Sequence, residues 1–473
     1  MKDVLVVGAG PNGLVAALEL ARSGLEVEVL EAAPAPGGGL ASGEFVRPGF
    51  VHDRCASVMP LAVLSPAFAR LEAGLRRQGF AWAAAPRAAA HLGTGPPVFL
   101  DRSLEATAAA LAGDAGRWRR LFEPLVHAGP ALFEDLLGPL PLRPRRPLGC
   151  AWMAWKGLRS FHGLARSFRG RPARELLAGL AAHAFLPLER APSASFALVL
   201  GLSAHLRDWP FARGGSGRLA RALAALLEER DVTIRCGVRL RRPSELPPAR
   251  AVVFDLTAWN FARFAEGALP EAWLRRLRAL PPGPGVFQVH WALDGPVPWR
   301  DPRVGEASTV HFGTLEEIAA AEAACWRGRM PERPFLLLTQ PTAADPGRAP
   351  AGGAAVSAYA HVPLGWAGDA TALLEARIEE QAPGFRERIL ARRPAGPRDL
   401  EARNPNLRGG SLTGGAPFLR HLFARPVSWR RPWDTPRPDW FLASASTPPG
   451  GGIHGMAGWH AARRVRAFLG LRA

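Results

Sequence analysis

Val4-Leu5-Val6-Val7-Gly8-Ala9-Gly10-Pro11-Asn12-Gly13-Leu14 decides the fold. Four consecutive apolar residues read as a strand covered on both faces, as in a parallel sheet, and the run opens directly into a glycine-rich turn. Leu14, Ala17, Leu18 and Ala21 then recur at helical spacing, Gly24 supplies a helix stop, and Glu26 to Leu30 alternates as a second strand ending at Glu31. This is a β-α-β unit with a GxGxxG turn. Gly8 allows the tight turn, Gly10 lets backbone approach a pyrophosphate, and Gly13 permits close helix packing. Pro11 and Asn12 open a helix whose first N–H groups are unpaired and carry partial positive charge. Glu31, 18 residues past Gly13, is placed to accept hydrogen bonds from ribose hydroxyls, and its charge repels a 2′-phosphate. The unit predicts a bound dinucleotide other than NADP.

Outward from this unit, Gly37-Gly38-Gly39 brings a second backbone segment toward the same ligand, and Pro48-Gly49-Phe50-Val51-His52-Asp53 follows. Together these segments resemble the flavoprotein superfamily of phytoene desaturases and amine oxidases, which implies FAD as the cofactor. Amine oxidases usually carry arginine after the glycine doublet. Gly39 stands here, which tilts the resemblance toward the desaturase-like branch, the one that takes in carotenoid desaturases and pyridine nucleotide-disulfide oxidoreductase domain-containing protein 2-like chains.

Two later segments extend it. Trp209 to Gly217 leads into a helix over Leu219 to Glu229 and a strand over Val232 to Cys236. The resemblance implies that Val238 contacts the adenine through its backbone; from spacing alone the segment reads equally as an ordinary helix–strand hairpin. Asn404 to Gly410 and Ser446 to Met456 also match the desaturase-like pattern, so the resemblance spans the chain. Where amine oxidases place an aspartate, this chain has Leu442 to Ser446, and where desaturase-like chains often carry histidine it has Pro448.

Gly450-Gly451-Gly452-Ile453-His454-Gly455 again satisfies GxGxxG, but only one helix follows, Ala457 to Leu469, so no second β-α-β unit can form. A glycine-rich approach to a helix aims free N–H groups at whatever precedes it. A flavin gains negative charge on reduction, which such a helix would stabilise. Gly451, Gly452, Ile453, His454, Gly455 and Met456 are therefore expected around the flavin. His52 and His454, both inside family-like segments, are the candidate proton carriers, although a lone histidine is more often structural. Trp459 and His460 are weaker candidates.

Composition bounds the rest. The chain of 473 residues carries 51 glycines, 46 prolines and a net charge of +18, with Lys2 and Lys156 as its only lysines. The surplus favours anionic surfaces. Cys55, Cys150, Cys236 and Cys325 form no CxxC, which argues against a redox dithiol or zinc knuckle. No Ser-His-Asp, HExxH or clustered metal-ligand spacing occurs, so no metal is expected. The first strand starts almost at Met1, leaving no room for a signal peptide, and the uncharged windows are cut by Pro and Gly; the expected location is cytoplasmic. Between Arg143 and Arg174, nine basic residues alternate with Trp152, Trp155, Phe161 and Phe168. That mixture reads either as a peripheral contact with an anionic membrane or as a solvated face over aromatic core residues. No groove-reading motif supports nucleic-acid binding.

The expected architecture is α/β: a Rossmann-like FAD-binding domain with a parallel sheet, built from residues 1–60, 207–260 and 400–473. It is interleaved with an α+β substrate domain and a helical segment, 61–206 and 261–399. Strands over Ala251 to Leu256, Gly285 to Leu293, Phe335 to Thr339 and Val356 to Val362 read as an antiparallel substrate-domain sheet. The expected function is FAD-dependent removal of hydride from an apolar, isoprenoid or carotenoid-like substrate. The alternatives are an amine oxidase of the same superfamily, for which a lysine and a tyrosine pair are wanting, and an FAD-binding interaction protein without turnover.

Overall fold

The computed structural model describes residues 1–139 and 143–471. The fingerprint lies on a five-stranded parallel sheet in the order β16 (Trp440–Leu442), β10 (Ala249–Phe254), β1 (Lys2–Val7), β2 (Val27–Leu30), β9 (Thr233–Arg235). β1 is central because its apolar run serves two cores. Val4 and Val6 pack with Leu14, Ala17 and Leu18 of the helix Pro11–Ala21, while Leu5 and Val7 pack with Phe254, Phe261 and Trp440 on the opposite face. The stretch from Ala251, assigned by its pattern to the antiparallel sheet, belongs here instead as β10. Its run Ala251-Val252-Val253-Phe254 is as continuously apolar as that of β1, the mark of a strand covered twice.

The second sheet has seven strands in the order β15 (Ile389–Ala395), β11 (Gly285–Leu293), β14 (Ala354–Val362), β13 (Leu336–Thr339), β12 (Ala307–Phe312), β6 (Arg87–Leu92), β7 (Val98–Leu100). It is mixed rather than antiparallel, because β12 and β6 run parallel. Two short pairs, β3 (Ser42–Gly43) with β4 (His52–Asp53) and β5 (Trp82–Ala83) with β8 (Phe211–Ala212), tie its connections down.

The two faces of this sheet differ in chemistry. Phe287, Val289, Trp291, Val356, Ala358, Leu338 and Val310 form an apolar core with Leu374 and Ile378 of the helix Thr371–Glu379. The alternate residues Gln288, His290, Thr309, His311, His91 and His361 are also buried, but polar. Over His91 and His311 lies the helix Arg171–Ala182, brought close by Gly179: a Cβ there would stand 2.7 Å from His91 Nδ1 and 2.8 Å from His311 Nδ1.

A buried charge cluster joins the two sheets. Arg348 donates to Asp53 at 2.8 Å and to Asp345 at 3.1 Å, and reaches the carbonyl of Ala212 at 2.8 Å. Asp53 also accepts from the amide of Ser216 at 2.7 Å, and Asp345 from that of Gly214 at 2.6 Å. The Pro48-to-Asp53 segment, the 207–217 segment and the far domain thus meet on one guanidinium. Paired and fully hydrogen-bonded charges of this kind tolerate burial; a lone one does not.

Among the described residues, the region from Leu104 to Leu206 is built of helices and their connections. Of the aromatic residues between Arg143 and Arg174, Phe161 and Phe168 are core, and Trp152 is half-buried with its Nε1 donating to the carbonyl of Leu121 at 3.0 Å. Trp155 and Leu148, on the helix Pro147–Gly157, are 55% and 86% exposed. The basic–aromatic segment therefore places some of its aromatic residues in the core and leaves others on the surface. Among the described residues no helix is long and apolar enough to cross a membrane.

Candidate functional site

The dinucleotide cradle is built by the C-terminal ends of β1, β2 and β10. Glu31, at the tip of β2, accepts the amides of Ala9 and Ala33, each at 2.7 Å, which fixes its carboxylate beside the fingerprint. Each oxygen keeps a lone pair for a ribose hydroxyl. Glycine is dictated by close approach: a Cβ on Gly13 would lie 2.0 Å from the Gly8 carbonyl oxygen. The second glycine run folds onto the first, with Gly37 donating to the Ala9 carbonyl at 2.8 Å and a Cβ on Gly38 falling 3.1 Å from the Cα of Gly10. Gly39 is half-buried beside Cys55.

Asp255, which the sequence reading passed over, closes the floor of this cradle. Its Oδ2 accepts the Gly13 amide at 3.0 Å, and a Cβ on Gly10 would stand 2.5 Å from the same oxygen. Burial pushes its carboxyl up to about 7, against the lowering effect of the Gly13 N–H and with the neighbouring charge of Glu31 raising it further. The signal available was positional, an acid ending an apolar strand at the carboxyl edge of the sheet. Val238 lies beside Glu31, its amide donating to the Glu31 carbonyl at 2.9 Å.

At the other end, Gly450, Gly452 and Gly455 adopt φ of 111°, 119° and 66° in the turn before the helix Met456–Phe468. This helix crosses the fingerprint helix at a point only glycine permits, since a Cβ on Gly458 would lie 1.8 Å from the Asn12 carbonyl oxygen. Gly455 also packs closely on the fingerprint helix, where a Cβ would be 2.6 Å from Val15 Cγ2. The two glycine-rich helix starts therefore converge. Gly451 and Gly452 stay exposed, Ile453 is half-buried and Met456 is buried.

The two candidate proton carriers differ in their engagement: backbone carbonyls face both ring nitrogens of His52, whereas His454 has one nitrogen engaged and its Nε2 buried without a partner. His52 is buried with Nε2 2.9 Å from the Trp291 carbonyl and Nδ1 3.3 Å from that of Phe50, so both ring nitrogens face backbone acceptors. His454 accepts the Met456 amide on Nδ1 at 3.1 Å, capping the closing helix, and burial holds it down at about 4. It is neutral at physiological pH. His460 faces the Leu137 carbonyl at 3.1 Å and half-buried Trp459 lies beside it.

Between the two ends stands the polar face of the second sheet. Tyr359 and Phe185 lie there with Val286, Leu407 and Leu412. Phe185, at a φ of 53° unusual for an aromatic residue, stacks 3.9 Å from His361, whose Nδ1 pairs with Glu322 at 2.5 Å. The pair is separated by 39 residues and carries no sequence signature.

A dinucleotide ending in a flavin fits these residues. Asn12 Oδ1 is buried without a partner, the fingerprint helix has no side-chain cap, and the backbone of Gly38, Gly451 and Gly452 is open. Comparison with known proteins agrees. Residues 6–71 match the NAD(P)-binding Rossmann-like domain. Pyridine nucleotide-disulfide oxidoreductase domain-containing protein 2 of Mus musculus is 26% identical, covering 98% of this chain and 93% of its own. Hydroxyneurosporene desaturase of Cereibacter sphaeroides is 31% identical over half of each chain. The solved cyclohexylamine oxidase from Brevibacterium oxydans shares the fold with a TM-score of 0.65 at 14% identity, covering 99% of both chains. The chain thus combines a dinucleotide-binding Rossmann-like domain with the overall fold of solved amine oxidases. In sequence it is similar to the murine relative over nearly the whole chain and to the bacterial desaturase over half of it.

Proposed function

We propose that this oxidoreductase removes a hydride from an apolar substrate of isoprenoid type, a desaturase-like oxidation rather than an amine oxidation. One observation carries the choice: the positions of the two lysines. Lys2 pairs with Glu26 at 2.5 Å on the surface, and Lys156 lies 3.8 Å over the exposed ring of Trp155. No lysine approaches the sheet wall, where Phe185, Val286, Leu407, Leu412 and the single tyrosine offer an apolar surface.

Bound FAD supplies the hydride acceptor. The chain's own residues bind, orient and exclude water: Glu31 and the two glycine runs fix the dinucleotide, and the apolar wall dries the reacting C–H bond. With His52 facing two carbonyls and His454 acting as a helix cap, the proton that accompanies desaturation is assigned to solvent. The purified protein is expected to be yellow and to release FAD on denaturation. Anaerobic addition of polyene-rich lipid extract should bleach the flavin band, whereas bleaching by simple amines with peroxide release would restore the amine oxidase reading.

The exposed Leu148 and Trp155, with Arg143, Arg145 and Arg146 at the helix start, support peripheral contact with an anionic bilayer on its cytoplasmic face. Flotation with anionic liposomes should carry the protein upward and the L148E/W155E double variant should stay behind; equal flotation would remove this contact from the proposal.

A further inference from the structure

Arg425 is buried at the flavin end with no acid beside it. Its Nη2 donates to the carbonyls of Ala445 at 2.7 Å and Thr413 at 2.9 Å, and its Nε to Ala445 at 3.2 Å. Among the described residues no carboxylate lies within ion-pair distance of it, and the titratable groups that feel its charge include His421, which also faces Arg420. Burial alone lowers its proton affinity, to about 10. Carbonyl dipoles take up its Nε and Nη2 donors but leave its charge uncompensated, and a buried charge is ordinarily paired. Arg348, the other fully buried arginine of the site region, shows the contrast, with two carboxylates on its guanidinium.

What lies in front of Arg425 is the glycine turn. A Cβ on Gly450 would be 3.8 Å from its Cζ, and Gly451 packs on the same Thr413 carbonyl, 3.3 Å from its built Cβ. We propose that Arg425 is the counter-charge for the reduced cofactor, a positioning residue that raises the cofactor's readiness to accept hydride. The inference rests on the FAD reading. When a substrate C–H bond breaks, the electron pair and one proton pass to the cofactor as hydride. A second substrate proton leaves to solvent as the double bond forms. The cofactor thereby gains one negative charge, which the cation behind Gly450 stabilises in a dry setting. Nothing comparable is gained in the oxidised state, so the effect is differential.

The test measures the midpoint potential of the FAD-loaded protein against a reference dye. The wild-type potential is expected above that of free FAD. R425Q should bind oxidised FAD as wild type does but reduced FAD about tenfold more weakly, a drop of about 30 mV for a two-electron couple. R425K, which keeps the charge, should recover most of the loss. A wild-type potential below that of free FAD, or an R425Q potential equal to wild type, overturns the assignment. If R425Q does not fold, the wild-type value relative to free FAD decides. Failure of the wild-type protein to bind FAD at all refutes the cofactor reading itself and is recognised before any potential is measured.

Discussion

Replacing Asp255 by asparagine should stabilise the cofactor-free protein at neutral pH, and the size of the effect follows from the carboxyl's surroundings. The group is buried against the fingerprint turn, hydrogen-bonded to the Gly13 amide and close to Glu31, with no cation paired to it among the described residues. Burial raises its folded value to about 7, from an ordinary 3.8. An unfolded chain therefore releases this proton about three pH units before the folded chain does. Stability falls as pH rises from about 4 to about 7 and stays low above that, by roughly 1.4 kcal/mol per unit or ~4 kcal/mol in all. Asparagine keeps an acceptor for the Gly13 amide and carries no charge, so D255N should recover up to ~4 kcal/mol at pH 8 and almost nothing at pH 4. Urea unfolding of the cofactor-free protein between pH 4.5 and 8.5 measures the difference. The same carboxylate, ionised, faces the incoming pyrophosphate, so wild-type affinity for FAD should weaken with pH above about 7 while that of D255N stays level. A stability gain in D255N that is the same at pH 5 and pH 8 would falsify the charge argument and leave only a packing effect.

Three further outcomes are expected. Gly458→Ala places a methyl group 1.8 Å from the Asn12 carbonyl oxygen; by the usual cost of overpacking it should lose about 1–3 kcal/mol or more, and separation of the two helix starts should show as FAD loss on gel filtration. Arg348→Met strands Asp53 and Asp345 without their cation and should cost about 3–5 kcal/mol in urea unfolding, with a loss under 1 kcal/mol counting against the cluster as the joint between the sheets. Burial holds His91, His205, His454 and His460 at about 4 and His183 at about 3. The unfolded chain takes up these protons first, so stability should fall on acidification from pH 6.5 toward 4. A melting temperature unchanged between pH 7 and pH 5 would contradict their burial as neutral rings.

Sequence by itself determined the elements whose cause is local. The run Val4 to Val7, the GxGxxG turn, the first helix and Glu31 are contiguous, and each is specified by periodicity, by backbone freedom at glycine or by the exposed amides of a helix start. The closing glycines and their helix were legible for the same reason. Strands such as Arg87-Ala88-Ala89-Ala90-His91-Leu92 were not, because small residues carry little pattern and their pairing with Ala307–Phe312 joins distant segments. Tertiary structure alone decided which ionisable groups matter. It set Asp255 against Gly13 across 242 residues, Arg348 against Asp53 across 295, and Arg425 behind Gly450 with only carbonyls for company. It also turned His52 and His454, plausible proton carriers in one dimension, into a strand latch and a helix cap. The physical reason is that a side chain's charge state and reach depend on what is folded against it, and burial, counter-charge and hydrogen-bond partners exist only once the chain has closed on itself.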